Sequence, residues 1–186
     1  MSEGFVKNKK ELRKELINLR NSVENRTEKS ENIQNILCEQ DFYKSSKNVM
    51  IYSGINSEVS TDLLIDKIFS DNKTAVFPKC KENFRMSAIE VKSKNDLEKK
   101  AYGILEPISD KAFSKDKIDL IIVPAIAYDT DRNRLGYGAG YYDRFLADFK
   151  GVKVGLCFRE LLIFKKLPIS KYDIKVDIII TDDGIY

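Results

Sequence analysis

The stretch Ile118-Asp119-Leu120-Ile121-Ile122-Val123-Pro124 constrains the fold more than any other in the chain. From Leu120 its apolar residues run without alternation, so the spacing predicts a strand buried on both faces. Such a strand needs covering layers on both sides of its sheet, and the remaining pattern supplies them. Leu12, Leu16, Leu19 and Val23 fall at i, i+4, i+7 and i+11 and predict an opening helix with one apolar stripe. Lys7, Lys9, Lys10, Arg13, Lys14 and Arg20 lie around that stripe. A second helical pattern carries Ile33, Ile36 and Leu37 toward Phe42. Residues 48–52 read as a short buried strand ending at Ser53-Gly54. Ser60 or Thr61 then caps a helix bearing Leu64, Ile65, Ile68 and Phe69. Residues 74–77 form a strand stopped by Pro78, and residues 86–91 another. Residues 92–117 are polar and weakly patterned, extended or turning at 103–107. A helix from Tyr141 carries Phe145, Leu146 and Phe149, between the 118–124 strand and two last strands at 152–157 and 176–181. Strands alternating with helices predict an α/β fold. The expected form is a three-layer sandwich with a mostly parallel central sheet flanked by helices, one domain over residues 1–186.

Composition excludes several chemistries. The chain contains no His, which removes His triads, His general bases, His metal sites and haem held by His. Catalysis would have to run on carboxylates, Lys, Arg, Tyr, backbone amides or a metal held by oxygen. Cys38, Cys80 and Cys157 are far apart and form no C-x-x-C pair. Neither a zinc site nor a thioredoxin-like redox pair is expected, and the sparse count fits a reducing cytoplasm. Lys plus Arg is 32 and Asp plus Glu is 29, a net charge of +3. That is too weak for a chain whose main partner is nucleic acid. The opening residues lack the apolar stretch of a signal peptide, and residues 120–128 are too short to span a bilayer. A cytoplasmic protein with small-molecule partners is expected, with no nucleic acid, no membrane, and a monomeric state.

Residues 134–144, Arg-Leu-Gly-Tyr-Gly-Ala-Gly-Tyr-Tyr-Asp-Arg, carry the chemistry. Gly136, Gly138 and Gly140 alternate, and glycine tolerates positive φ and close approach of a ligand to the backbone. Successive amides in such a loop converge on an anion, a helix follows, and Arg134 and Arg144 offer charged donors. The loop also follows a buried strand, where open α/β sheets bind ligands. It is neither a Walker A loop nor the G-x-G-x-x-G dinucleotide fingerprint. The alternative is a tight strand–helix connection in which glycine only permits packing. Asp143, beside the loop, suits a cation that bridges to phosphate, since magnesium takes one or two carboxylates plus phosphate oxygens. Its bland reading is a first-turn helix Asp.

Residues 133–146 closely resemble the signature of the 5-formyltetrahydrofolate cyclo-ligase family, roughly R-L-G-x-G-x-G-Y-Y-D after a D-L-I-L-V-P-type strand, here Asp119 to Pro124. The resemblance spans nearly the whole chain. Lys9-Lys10-Glu11-Leu12-Arg13 is similar to the family's K-x-x-L-R segment, and Glu58-Val59-Ser60-Thr61 to its E-[VI]-x-T element. Phe77-Pro78-Lys79, Leu167-Pro168, Tyr172-Asp173, Val176-Asp177 and Ile180-Thr181 follow in the family's order. The resemblance implies an enzyme that uses ATP and magnesium to convert 5-formyltetrahydrofolate to 5,10-methenyltetrahydrofolate, releasing ADP and phosphate. Phosphoryl transfer needs positioning and charge stabilisation more than covalent help, which suits a chain without His.

Site residues carry over by resemblance. Lys9, Lys10 and Arg13 correspond to N-terminal ATP contacts. Arg134, Leu135, Gly136, Tyr137, Gly138, Ala139, Gly140, Tyr141 and Tyr142 correspond to the ATP-phosphate loop, with Arg134 and Tyr142 in catalytic roles. Tyr137, Gly138, Ala139, Gly140 and Tyr141 also border the folate, with Ser53 and with Glu58 as the carboxylate for the pterin edge. Asp143 and Asp173 correspond to the magnesium ligands. Two departures stand out: the family's F-x-x-Q is here Phe158-Arg159-Glu160-Leu161, and a frequent His before the aspartate is Tyr172. They keep a second reading open, a member that binds folate or another phosphorylated ligand with altered or no cyclo-ligase activity.

Overall fold

The computed structural model describes residues 8–100 and 103–186. Lys7, placed by its sequence beside the first helix, lies outside the described residues. The chain opens with α1 (Lys9–Ser22), α2 (Arg26–Cys38) and α3 (Asp41–Ser45), then β1 (Asn48–Met50), α4 (Asp62–Ser70), β2 (Thr74–Lys81) and β3 (Arg85–Val91). A short hairpin follows, β4 (Leu97–Lys99) with β5 (Leu105–Pro107), then β6 (Leu120–Val123), β7 (Ala127–Asp129) and β8 (Arg134–Leu135). The last elements are α5 (Tyr141–Leu146), β9 (Val152–Leu156), β10 (Leu162–Ile163), β11 (Ile178–Thr181) and β12 (Gly184–Ile185).

Seven strands form the central sheet in the order β12-β11-β9-β6-β1-β2-β3. The pairs from β11 to β2 are parallel, and β12 and β3 close the two edges antiparallel. The fold is therefore α/β with a mostly parallel sheet flanked by helices, as the alternation of elements predicts. β6 lies at the centre of the order, and all four of its residues are fully buried, which is what its unbroken apolar run requires. Asp119, just before it, accepts the Lys47 and Asn48 amides at 2.8 Å each, and so sets the register of β6 against β1.

Four local expectations need correction. Pro78 does not stop its strand: β2 runs on to Lys81, with Pro78 opposite Ala88 of β3. Beyond Val76 the β1 side of β2 is no longer paired, and proline is tolerated on such an edge. Of Ser60 and Thr61, Thr61 is the residue before α4, but its hydroxyl does not cap it; it donates to Tyr52 O at 2.7 Å and ties the loop after β1. Ser60 Oγ accepts the Asp62 amide at 3.3 Å. The weakly patterned 92–117 region holds the β4–β5 hairpin, too short for a two-residue period to register. On α1, Leu19 is exposed while Arg20 is buried, because the inward face is centred on Leu16.

Candidate active site

Asn8 starts α1 by accepting the Lys10 and Glu11 amides at 3.0 Å each, satisfying two donors that a helix start leaves open. Lys9, Arg13, Leu16 and Arg20 then fall at i, i+4, i+7 and i+11, which puts them on one helix face. That face meets the site. Lys9 donates to Asp173 Oδ2, Arg13 Nε donates to Gly136 O at 2.8 Å, and Arg20 reaches the loop after β1. Lys10 and Lys14 point to solvent. The opening helix thus carries Lys9, Arg13 and Arg20 inward and leaves Lys10 and Lys14 on its solvated face.

The glycine loop links β8 to α5. Gly138 and Gly140 have φ of +106° and +71°, conformations that glycine adopts freely and other residues rarely. A Cβ on Gly138 would sit 3.1 Å from the Arg13 guanidinium carbon. Among the described residues, the amides of Tyr137, Gly138, Ala139 and Gly140 donate to no protein acceptor. These four successive N–H groups beside Arg13 are left without an acceptor among the described residues, as an anion-binding loop requires. The six residues of α5 add little dipole; amides and guanidinium groups supply the field. Arg144 is committed elsewhere, donating to Phe84 O at 2.9 Å and to Ala139 O. Phe84 itself holds φ of +55° at the β2–β3 turn and sets its ring 5.9 Å from that of Tyr141. No periodicity could have joined these two residues.

Arg134 is buried beneath the loop. It donates through Nε to Ile174 O at 3.1 Å and through Nη2 to Asp143 Oδ1. Leu135 is buried in the small three-stranded sheet with β7 and β10, so it meets the site through its backbone alone. Tyr142 is half-buried, and burial together with the nearby Glu58 charge pushes its phenol well up, Arg134 offsetting only part. It stays protonated throughout the working range.

Glu58 sits at the opposite end of the loop, with a side chain only 7% exposed. Its Oε1 accepts the Tyr137 hydroxyl and its Oε2 the Ile55 amide at 3.0 Å. Burial, then the Glu58 charge, raises the Tyr137 phenol to about 12 despite Arg20. Glu58 and Arg20 border a small pocket with Tyr52, Ala125, Cys157 and Leu161. Apart from Arg20, which reaches in from α1, these residues follow the carboxyl ends of β1, β6 and β9, the crevice where open parallel sheets bind ligands. Leu161, the position of the family's Gln, is fully buried against it. Ser53 is half-buried ahead of Gly54 and is not part of this hydrogen-bonded cluster. Tyr172 is 70% exposed, with the Lys171 ammonium 4.9 Å over its ring.

Asp143 and Asp173 meet through one segment, although 30 positions part them. Asp143 Oδ1 accepts the Ile174 amide at 3.1 Å, and Asp173 takes the Ser170 amide at 2.7 Å and hydroxyl at 3.0 Å. Burial alone would raise the Asp173 carboxyl, but Lys9 and Ser170 hold it below its usual range. Among the described residues no three His, Cys, Asp or Glu side chains cluster as a metal site. Magnesium needs only one or two carboxylates beside phosphate oxygens. The donors fit it by type, with Asp143 Oδ2 uncommitted among the described residues and Asp173 occupied by Lys9.

A family model described as the 5-formyltetrahydrofolate cyclo-ligase family matches residues 6–182. The chain belongs to that family. It is 30% identical over 156 residues to the mouse (Mus musculus) 5-formyltetrahydrofolate cyclo-ligase, covering 76% of each chain. It is 32% identical over 160 residues to a probable 5-formyltetrahydrofolate cyclo-ligase of Schizosaccharomyces pombe, covering 77% of this chain and 78% of that protein. The NMR structure of Aquifex aeolicus 5,10-methenyltetrahydrofolate synthetase superposes with a TM-score of 0.84 at 35% identity, over 95% of this chain and 91% of that one. A Mycoplasma pneumoniae 5,10-methenyltetrahydrofolate synthetase shares the fold, with a TM-score of 0.77 at 22% identity, over 95% of this chain and 99% of that one. As a cyclo-ligase family member the chain is an enzyme, a ligase of folate metabolism. Among the described residues no helix is long and apolar enough to cross a membrane.

Arg20 was not among the expected site residues of this cyclo-ligase family member. Its signal was present: Arg20 lies eleven positions after Lys9, on the same face as Arg13.

Proposed function

We propose that this cyclo-ligase converts 5-formyltetrahydrofolate and ATP to 5,10-methenyltetrahydrofolate, ADP and phosphate, with magnesium. The observation that carries the reading is the run of four amides from Tyr137 to Gly140 that meet no acceptor among the described residues, flanked by Arg13 at one side and by Glu58 at the other. The amides and Arg13 bind the phosphates of ATP. Glu58 accepts N–H donors of the pterin edge, and Tyr137 and Tyr141 border the folate. The formyl oxygen attacks the γ-phosphorus and ADP leaves, giving an iminium phosphate. Nitrogen 10 then adds to the activated carbon, its proton is lost, and phosphate departs with the formyl oxygen. Arg134, beneath the loop, stabilises charge on the transferring group, and Tyr142 stays neutral as a hydrogen-bond donor. Asp143 would hold magnesium, with Asp173 as the second candidate ligand, and the ion would supply charge neutralisation for the phosphates. The free cysteines Cys38, Cys80 and Cys157 support a reducing, cytoplasmic setting, and the reading takes residues 1–186 as one domain acting as a monomer.

The test mixes purified protein with 5-formyltetrahydrofolate and follows the near-ultraviolet band of the methenyl product, with and without magnesium and ATP. Growth that requires both is expected. Buried Leu161, in place of the family's Gln, favours the second reading, a folate binder without turnover. Folate binding with no growth of the band would select it.

A further inference from the structure

Taking the folate reading above as its basis, we infer that Arg20 is a positioning residue: it fixes the Tyr137 hydroxyl so that Glu58 meets the pterin edge in one orientation. Arg20 is 6% exposed. A guanidinium cannot shed its charge, so burial demands partners for its donors. Nε donates to Ser57 Oγ at 3.1 Å, Nη2 to Tyr137 OH at 2.9 Å and Nη1 to Ala125 O at 3.5 Å. Nη1 also stands 3.9 Å from Glu58 Oε1. The same guanidinium lies 5.8 Å from the centre of the Tyr137 ring.

These donors dictate where protons go. A phenol carries one proton, and its oxygen accepts as well. With an Arg20 N–H on that oxygen, the Tyr137 proton turns to Glu58 Oε1. Ser57 behaves in the same way, accepting from Arg20 and donating its own O–H to Asn21 Oδ1 at 2.6 Å. The Ile55 amide holds the other Glu58 oxygen. The carboxylate plane is then set from both sides, and each oxygen keeps a lone pair for a ligand N–H. Arg20 acts through Tyr137 and needs no contact with the folate. Because it shares a face of α1 with Lys9 and Arg13, the helix places the phosphate contacts and the Glu58 clamp in one register.

The test compares Arg20→Gln, Arg20→Lys, Tyr137→Phe and the Arg20→Gln/Tyr137→Phe double variant. Steady-state constants for each substrate are read beside calorimetric folate binding and thermal melts. Arg20→Gln is expected to raise the folate KM and Kd about tenfold, the scale of one hydrogen bond to a charged group, with the ATP KM unchanged. Arg20→Lys should restore part of the loss. In the Tyr137→Phe background, Arg20→Gln should add little, since its target is gone. A merely structural Arg20 would lower the melting temperature and leave folate KM alone, or raise both KM values equally, and either result overturns the inference. If Arg20→Gln fails to fold, Tyr137→Phe decides: a normal folate KM there overturns it. A wild-type protein that binds folate without turnover sinks the cyclo-ligase reading alone. One that turns over while Arg20→Gln matches it sinks the positioning role alone.

Discussion

Lys9 and Asp173 form an ion pair across 164 positions of chain. The pair draws the first turn of α1 onto the segment whose next residue, Ile174, binds both Arg134 and Asp143. Two proposed phosphate contacts and two proposed metal ligands are thereby held as one unit before any ligand arrives. Each carboxylate has a protein cation, which answers how acidic groups sit beside an anion cradle without repelling each other. Lys9 carries its point charge on a flexible four-carbon stem.

Acid should expose the Asp173 partnership. Its carboxyl is held below the usual range in the folded chain. The stability it contributes is present above the unfolded value of about 3.9 and is lost as pH falls through the folded value. Asp173→Asn should melt below wild type at neutral pH. Titrating melts from pH 6 to pH 3 should leave that gap constant down to about pH 4 and then narrow it. A gap constant over the range would show that the lowered carboxyl contributes nothing.

Asp143 calls for a milder change than alanine. Arg134 is buried and gives Asp143 one of its donors. Truncating the acid strands that donor, at about 2 kcal/mol. Asp143→Ala should therefore lose stability as well as magnesium response. Asp143→Asn keeps a neutral acceptor and should fold normally while losing most magnesium-dependent turnover. Urea unfolding beside rate against magnesium concentration separates the two effects. Unchanged magnesium dependence in Asp143→Asn would discard the metal assignment.

Gly138 tests the cradle. Its φ of +106° strains any L side chain, and a Cβ would press the Arg13 guanidinium at 3.1 Å. Gly138→Ala should cost about 1–3 kcal/mol in stability and raise the ATP KM at least tenfold, with valine worse. A normal ATP KM in a folded Gly138→Ala protein would remove the loop from phosphate binding.

Legibility in the sequence followed the range of each interaction. The unbroken apolar run of β6 and the alternating glycines each carry their meaning within a few residues, so the central sheet and the loop could be read directly. Pro78 misled because whether its strand was paired on both sides there depended on where β1 ends. Arg20 looked like one more surface charge; its burial is set by Ser57, Glu58 and Tyr137, distant in sequence. Asp143 and Asp173 were paired only by family resemblance, since their link runs through Ile174 and Lys9.

Glu58→Gln separates the folate end from the nucleotide end. One Glu58 oxygen accepts the Tyr137 hydroxyl and the other the Ile55 amide. A glutamine has one acceptor oxygen and one donor nitrogen, so it satisfies one of these partners and turns an N–H on the other. The ligand loses a charged acceptor at the same stroke. Removing one charged hydrogen bond costs about 1.5–3 kcal/mol, so the folate KM should rise at least tenfold. The ATP KM should stay within about twofold, because the amides of the loop and Arg13 are untouched. The Tyr137 phenol, relieved of a neighbouring negative charge, should also fall from about 12, visible as an earlier tyrosinate absorbance in an alkaline titration. A larger effect on ATP than on folate would overturn the assignment of Glu58 to the pterin.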